Sequence, residues 1–248
     1  MTISIITATY NSAATVRDTL LSVRSQQYPE IEHIIVDGDS RDNTLDIVAA
    51  FPHVARVVSG KDAGIYDAMN KGIGLATGEI IGILNSDDVY NDDNVLTDVA
   101  AAFTDRAVMT VYGDLQYVDP ADLQKVRRSW RSGPFRAENF YYGWMPPHPT
   151  FFVRRSVYER AGLFNLGLRS AADYELMLRF LLKLGIPAQY IPRVLVRMRT
   201  GGISNASLFN RLKANKEDRL AWKLNGLKPH FFTLYLKPLR KISQFVLR

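Results

Sequence analysis

Ile80-Ile81-Gly82-Ile83-Leu84-Asn85-Ser86-Asp87-Asp88 is the stretch on which the fold turns. Its first five residues are strongly apolar, as in a strand buried on both faces at the centre of a parallel sheet. Its last four are polar and end in two adjacent acids. Upstream, Ile65 to Ala76 carries apolar residues at helical spacing, Ile65, Ala68, Met69 and Ile73, and Gly78 ends that helix. Val54 to Val58 reads as a strand, Asp42-Asn43 starts a short helix through Leu45, Ile47 and Val48, and Ile31 to Val36 is a further strand. Asn11 or Ser12 caps a helix striped by Val16, Leu20 and Val23, and Ile3 to Thr7 opens the chain as an apolar β-branched run. This β-α-β-α-β-α-β rhythm predicts a largely parallel sheet with helices on both faces.

Downstream of Asp88 the rhythm loosens. A helix near Asn94 to Phe103 precedes a strand at Ala107 to Tyr112. A polar stretch follows, and then the proline- and aromatic-rich segment Phe140 to Phe152. Helical spacing returns at Arg155 to Ala161 and at Ala172 to Leu184, and a last strand, Ala188 to Met198, leads into Thr200-Gly201-Gly202. There is no internal repeat.

Composition narrows the classes further. A chain of 248 residues, 47% hydrophobic and 23% charged, describes a folded globular protein rather than a disordered one. The absence of cysteine excludes disulfides, thiolate zinc sites and a cysteine nucleophile. The N-terminus lacks the features of a signal peptide, and no apolar run reaches the ~20 residues of a membrane span. A cytoplasmic protein is expected. The net charge of +6 is uneven: residues 207 to 248 hold ten Lys/Arg and two Asp/Glu, so they carry +8 and the rest of the chain −2. A basic, aromatic-containing tail of this kind fits an anionic membrane surface, the reading preferred here, and also fits a helix packed on the domain with its lysines in water.

In open parallel sheets, ligands bind beyond the carboxyl ends of the strands. Two such ends carry acids here, Asp37-Gly38-Asp39 and Asp87-Asp88. Adjacent carboxylates repel unless a positive group compensates, and Mg²⁺ or Mn²⁺ prefers hard oxygen ligands and bridges diphosphates. The spacing fits a second reading equally well, in which Ser86 or Asp87 caps the next helix. No G-x-G-x-x-G opens the first helix, and no P-loop or G-x-S-x-G elbow is present, so dehydrogenase, ATPase and serine-hydrolase readings fall away.

Four motifs then follow in order: Ile5-Ile6-Thr7-Ala8-Thr9-Tyr10-Asn11; Val36-Asp37-Gly38-Asp39-Ser40; Asp62-Ala63-Gly64-Ile65-Tyr66-Asp67-Ala68-Met69-Asn70-Lys71-Gly72; and Leu84-Asn85-Ser86-Asp87-Asp88. Together they resemble a family 2 glycosyltransferase of the non-processive bacterial polysaccharide type. The likeness is close from residue 3 to 88 and thinner to about 205. It implies a GT-A fold: an α/β, Rossmann-like, mixed and mostly parallel sheet flanked by helices, with a basic C-terminal helical tail. It implies residues 1–205 as the transferase domain, with 1–90 binding the nucleotide-sugar and 91–205 the acceptor, and 206–248 as the amphipathic tail. Thr7, Ala8, Thr9 and Tyr10 would lie against the nucleotide, Asp37 would hydrogen-bond the base with Asp39 in support, and Asp62 would join that pocket. Asp87 would contact ribose or metal, and Asp88 would ligate Mn²⁺ or Mg²⁺. Members commonly show Asp-Asp-Gly-Ser where this chain has Asp37-Gly38-Asp39-Ser40, a departure that touches Asp39 rather than Asp37.

An inverting transfer needs a general base for the acceptor hydroxyl. The resemblance assigns it to Asp173 in Ala172-Asp173-Tyr174-Glu175, where an acid in the first helical turn is also favoured by the helix dipole alone. Arg197 and Arg199 are candidates for the diphosphate, or are solvated strand-edge charges. His148 is a candidate acceptor contact, or a packed loop histidine. The partners implied are a nucleotide-sugar donor, a saccharide or lipid-linked saccharide acceptor in cell-surface polysaccharide synthesis, and a membrane surface at the tail; no nucleic acid is expected. Two other readings compete: a sugar-phosphate nucleotidyltransferase, which would need a glycine-rich basic loop after the first strand, and a binding module built on the tail.

Overall fold

The computed structural model describes residues 1–201 and 208–246, the side chains of 208–214 and 241–246 excepted. Gly202, Ile203 and Ser204, which follow Thr200-Gly201 in the sequence, lie outside the described residues, as do the tail side chains of Phe209, Leu212, Phe245 and Val246. In chain order the elements are β1 (Ile3–Thr9), α1 (Val16–Arg24), β2 (Ile31–Asp37), α2 (Thr44–Ala49), β3 (Val54–Ser59), α3 (Ile65–Leu75), β4 (Ile80–Ile83), β5 (Val89–Tyr90), α4 (Val95–Ala102), β6 (Thr110–Val118), β7 (Val126–Trp130), β8 (Phe152–Arg154), α5 (Arg155–Ala161), α6 (Ala172–Met177), β9 (Ala188–Arg199), α7 (Leu208–Leu224) and α8 (Thr233–Val246). Among the described residues the strands form one sheet in the order β3-β2-β1-β4-β8-β6-β9-β5, with β7 paired to β6.

The half read with most detail in the sequence is parallel: β3, β2, β1 and β4 run together, as alternating strands and helices require. All seven residues of β1 and all four of β4 are buried. Past β4 the sheet becomes mixed. β8 runs antiparallel to β4 and β6, β7 antiparallel to β6, and β5 antiparallel to β9, while β6 and β9 are parallel. Of these strands, β5, β7 and β8 are not anticipated by the hydrophobic pattern, and β6 continues six residues beyond the expected end at Tyr112. The helix expected from Asn11 or Ser12 starts instead at Val16, because Asn11 takes a left-handed backbone (φ 48°) and a turn at residues 13–15 precedes the helix.

Two close approaches set the layer spacing. Gly72 of α3 faces Ile6 of β1, where a Cβ would stand 2.3 Å from Ile6 Cγ2. Gly82 of β4 lies under the Phe152 ring, where a Cβ would be 2.5 Å from Cε1. One core joins α3, α5 and α6 to one sheet face, and a second packs α4 against the other. The tail is part of the first: Ala221, Trp222, Thr233 and Leu234 are buried, and the indole N–H of Trp222 donates to the Tyr174 hydroxyl at 2.9 Å. Its outer face leaves Phe231, Tyr235 and Leu239 exposed. No helix among the described residues is long and apolar enough to cross a membrane.

Candidate active site

The carboxyl ends of β1, β2 and β4 form one rim, knitted by short polar contacts. Asp37 ends β2 and is buried. Its Oδ1 accepts from Thr9 Oγ1 at 2.9 Å and Ser40 Oγ at 2.5 Å, and its Oδ2 from the Ser40 N–H at 2.9 Å and Ser59 Oγ at 2.8 Å. Burial pushes this carboxyl up, but the donors on Ser40, Ser59 and Thr9 outweigh it and hold it below its ordinary value. Four donors fill the acceptor capacity of a carboxylate. The expected contact of Asp37 with a nucleotide base therefore has no free oxygen in this state; Asp37 ties together the ends of β1, β2 and β3. Thr7 and Ala8 also depart from expectation. Both are buried inside the sheet, and the Thr7 hydroxyl lies 3.1 Å from His33 Nε2. Strand alternation and burial on both faces, rather than residue type, decide that.

What stays open at this rim is Tyr10, 65% exposed, together with Asp39 and Asp62. Asp39, like Asn11, has a left-handed backbone (φ 68°), a conformation acids and amides tolerate better than other side chains. The two turns brace each other: Asn11 N–H donates to Ser40 Oγ at 2.8 Å and Arg41 N–H to Asn11 Oδ1 at 2.9 Å. A Cβ on Gly38 would lie 2.7 Å from Asp62 Oδ2 and 3.5 Å from Tyr10 Cδ2, so the carboxylate and the ring meet over bare backbone. An aromatic ring beside acceptor oxygens can stack on a base and accept its N–H groups.

The acid loop after β4 is bound to the first turn by Ser12 Oγ and Ser86 Oγ, 2.9 Å apart, and by Thr19 Oγ1, which donates to the Asp88 carbonyl at 2.7 Å. Asp88 is fully buried. Its Oδ2 accepts from Asn85 Nδ2 at 2.9 Å, but its Oδ1 is buried with no hydrogen-bond partner among the described residues. Burial, and then the charge of Asp87, push the Asp88 carboxyl well up; burial also raises Asp87, with Arg199 pulling the other way. An orphaned, desolvated carboxylate oxygen beside a second acid suits a hard divalent cation. Among the described residues there is no group of three or more metal-ligating side chains. Asp87 and Asp88 are the side chains here that could hold such a cation.

Arg197 and Arg199 do not extend toward this space as free cations. Arg199 is buried and donates to the Asp87 carbonyl at 2.7 Å, to Asp18 Oδ2 at 2.5 Å and to the Pro120 carbonyl at 3.2 Å. Arg197 donates to Asn91 Oδ1 at 2.9 Å and Gln124 Oε1 at 2.7 Å. Both brace the acid loop and its neighbours, because β9 pairs with β5 immediately after Asp88. Neither competing reading from the sequence, diphosphate contact or solvated edge charge, describes them.

Asp173 is the second residue of α6 and is half-buried. Its Oδ1 accepts from the Tyr66 hydroxyl at 3.1 Å. Tyr66 stacks on Phe164 with centroids 5.5 Å apart, and His148 meets the same ring edge-on at 5.5 Å. Burial lowers the His148 imidazole while the nearby Asp173 charge pulls it up, so the histidine lies within electrostatic reach of the acid. Glu175 is buried and paired with Arg179 at 3.0 Å, a structural role. Trp144 and Tyr141 belong to the core, and Tyr142 is exposed.

Tyr117 on β6 senses the charge of both acid groups. Burial is the main cause that raises its phenol; Arg128 opposes, and the charges of both Asp88 and Asp173 add to the rise. Asp88 and Asp173 therefore lie within electrostatic reach of one side chain, although they come from opposite halves of the chain. The Arg128 guanidinium stands over the Tyr117 ring, 3.7 Å from its centroid, from the paired position on β7. Tyr66, Tyr117 and Arg128 are the site residues that sequence reasoning missed. Tyr66 stood within a quoted motif, whereas Tyr117 and Arg128 fall in the stretch read as merely polar.

The description "Glycosyl transferase family 2" belongs to the family model that matches residues 4–162. The PGL/p-HBAD biosynthesis glycosyltransferase of Mycobacterium tuberculosis is 32% identical over 208 residues, 82% of this chain and 78% of that protein. Among solved structures, S. aureus TarS 1–349 in complex with UDP-GlcNAc aligns with a TM-score of 0.71 at 20% identity, over 91% of this chain; this chain spans 65% of that one. The mannosyltransferase PcManGT from Pyrobaculum calidifontis, in complex with GDP-Man and Mn²⁺, aligns with a TM-score of 0.66 at 20% identity, over 99% of this chain and 70% of that one. At these identities the structural likeness speaks to the fold, a mixed, mostly parallel sheet flanked by helices.

Proposed function

The chain belongs to glycosyl transferase family 2, and from that premise we propose that it is an inverting, metal-assisted hexosyltransferase. It takes its sugar from a nucleoside diphosphate and passes it to a saccharide or lipid-linked saccharide in cell-surface glycan synthesis. Residues 1–90 form the donor half and 91–205 the acceptor half. The observation that carries this reading is the Asp87-Asp88 pair at the end of β4, where Asp88 is fully buried and one of its oxygens has no hydrogen-bond partner among the described residues.

Tyr10, Asp39 and Asp62 line the open part of the nucleotide pocket, with Asp37 holding its floor. Asp173 removes the proton of the acceptor hydroxyl as that oxygen attacks the anomeric carbon from the face opposite the diphosphate. The new C–O bond forms as the bond to the diphosphate breaks, so configuration inverts. Asp88, with Asp87, would hold a divalent metal, Mn²⁺ or Mg²⁺, which would supply positive charge against that of the departing diphosphate. His148 and Phe164 form the wall beside Asp173.

UDP-GlcNAc and GDP-mannose, the ligands of the two structural neighbours, are the first donors to try, followed by dTDP-sugars. Binding to the folded state alone raises apparent stability. The expected result is a thermal shift with one nucleotide class that grows with Mn²⁺ and is lost in Asp88→Ala; a protein indifferent to every sugar nucleotide would refute the assignment. Asp173→Ala is expected to keep the shift and lose transfer. At the tail, exposed Phe231, Tyr235 and Leu239 together with the +8 charge support contact with an anionic bilayer. Co-sedimentation with phosphatidylglycerol vesicles, and its loss on changing these three residues to serine, tests that.

A further inference from the structure

We propose that Tyr66 is a positioning residue for Asp173, so that a helix of the donor half sets the geometry of the base in the acceptor half. The inference deepens, and rests on, the reading of Asp173 as that base. The contact joins residues 107 apart in sequence, from the second residue of α3 to the second residue of α6. A carboxylate rotates easily about its terminal torsion, in a broad two-fold well. One hydrogen bond to Oδ1 selects an orientation and leaves Oδ2 as the oxygen to receive the acceptor proton.

The donor is itself held firmly. The Tyr66 ring lies nearly parallel to Phe164, at 25°, and Phe164 is fixed by α3 a second time. Asn70, one turn after Tyr66 and so on the same helix face, donates from Nδ2 to the Phe164 carbonyl at 2.9 Å and accepts the Phe164 N–H on Oδ1 at 2.9 Å. His148 also contacts the Phe164 ring, edge-on. Burial, followed by the Asp173 charge, pushes the Tyr66 phenol far up, so the hydroxyl stays protonated and donates to the carboxylate. Positioning of this kind matters because a displacement near 1 Å at a reacting group costs on the order of 100-fold in rate.

Tyr66→Phe tests this, since it keeps the ring on Phe164 and deletes only the hydroxyl. Release of nucleoside diphosphate from UDP-GlcNAc and from GDP-mannose is followed with Mn²⁺ present, octyl glucoside as acceptor and water as the default one. The expected outcome is a kcat lower by roughly ten- to a hundredfold with both KM values within about twofold, because the chemical step is impaired and binding is not. A kcat within twofold of the unaltered protein overturns the proposal, and so does a loss confined to KM. Thermal unfolding of Tyr66→Phe, Asp173→Asn and the double variant probes the contact without any turnover. The double variant should lose less Tm than the two single losses summed, and strict additivity overturns the proposal. Full turnover by Asp173→Asn would instead remove the base reading, while leaving the coupling of the two side chains to be read from the unfolding cycle.

Discussion

Asp88 shows how a single residue type acquires chemistry from its surroundings. Burial with one oxygen unpartnered penalises its charged form, so Asp88→Asn should leave the metal-free protein at least as stable while abolishing the Mn²⁺-dependent nucleotide shift; differential scanning fluorimetry with and without Mn²⁺ checks both halves. His33 makes a different residue-scale prediction. It is buried in β2 between Thr7 and His53, and burial, with His53 adding, lowers its imidazole from 6.5 to about 3. The folded state keeps it neutral and the unfolded chain protonates it, so its stabilising contribution is complete above about pH 6.5 and is lost as pH falls toward 3. At pH 5 the loss amounts to about 2 kcal/mol. Urea unfolding between pH 7 and 4 should show this slope in the native protein and a shallower one in His33→Gln.

Among the elements, α3 does most to position the site, since it starts beside Asp62, carries Tyr66 and Asn70, and lies close on β1 through Gly72. A methyl at Gly72 meets the branched side chain of Ile6, so Gly72→Ala is expected to destabilise by roughly 1–3 kcal/mol despite alanine's better helix propensity. Ile6→Val should recover part of that in the double variant, measured by chemical denaturation. The elements of the first half were legible because each is long enough to display its period: Val16, Leu20 and Val23 are the buried stripe of α1, as their spacing indicates. β5 and β8, of two and three residues, are too short to show any period. β6 escaped notice past Tyr112 because Asp114 interrupts its apolar run. That acid is accommodated by the Ser132 N–H at 2.7 Å and the Tyr190 hydroxyl at 2.8 Å, partners that only the folded sheet brings to it.

At the scale of the molecule, the C-terminal helices expected from the sequence pack into the core, as the second reading of the tail allowed. Trp222 is completely buried between α6 and the Tyr141 ring, Asn225 reaches the Glu175 carboxylate at 3.2 Å, and Lys237 lies over the Tyr174 ring and pairs with Asp218 at 2.8 Å. Trp222→Ala should therefore cost about 3–5 kcal/mol, and a chain cut at residue 206 should fail to give a soluble folded domain; tryptophan fluorescence during unfolding and gel filtration test the two. The parallel half of the sheet, the rim at its carboxyl ends, the paired acids of the fourth strand and the family itself were determined by sequence alone, because these depend on local periodicity and on motifs whose order survives without coordinates. Which oxygens are left open, that Asp37 and Arg199 are saturated by neighbours, that Tyr66 reaches Asp173, and that a basic tail closes the core were decided only in three dimensions. Hydrogen-bond saturation and burial depend on groups distant in sequence, and no local pattern encodes them.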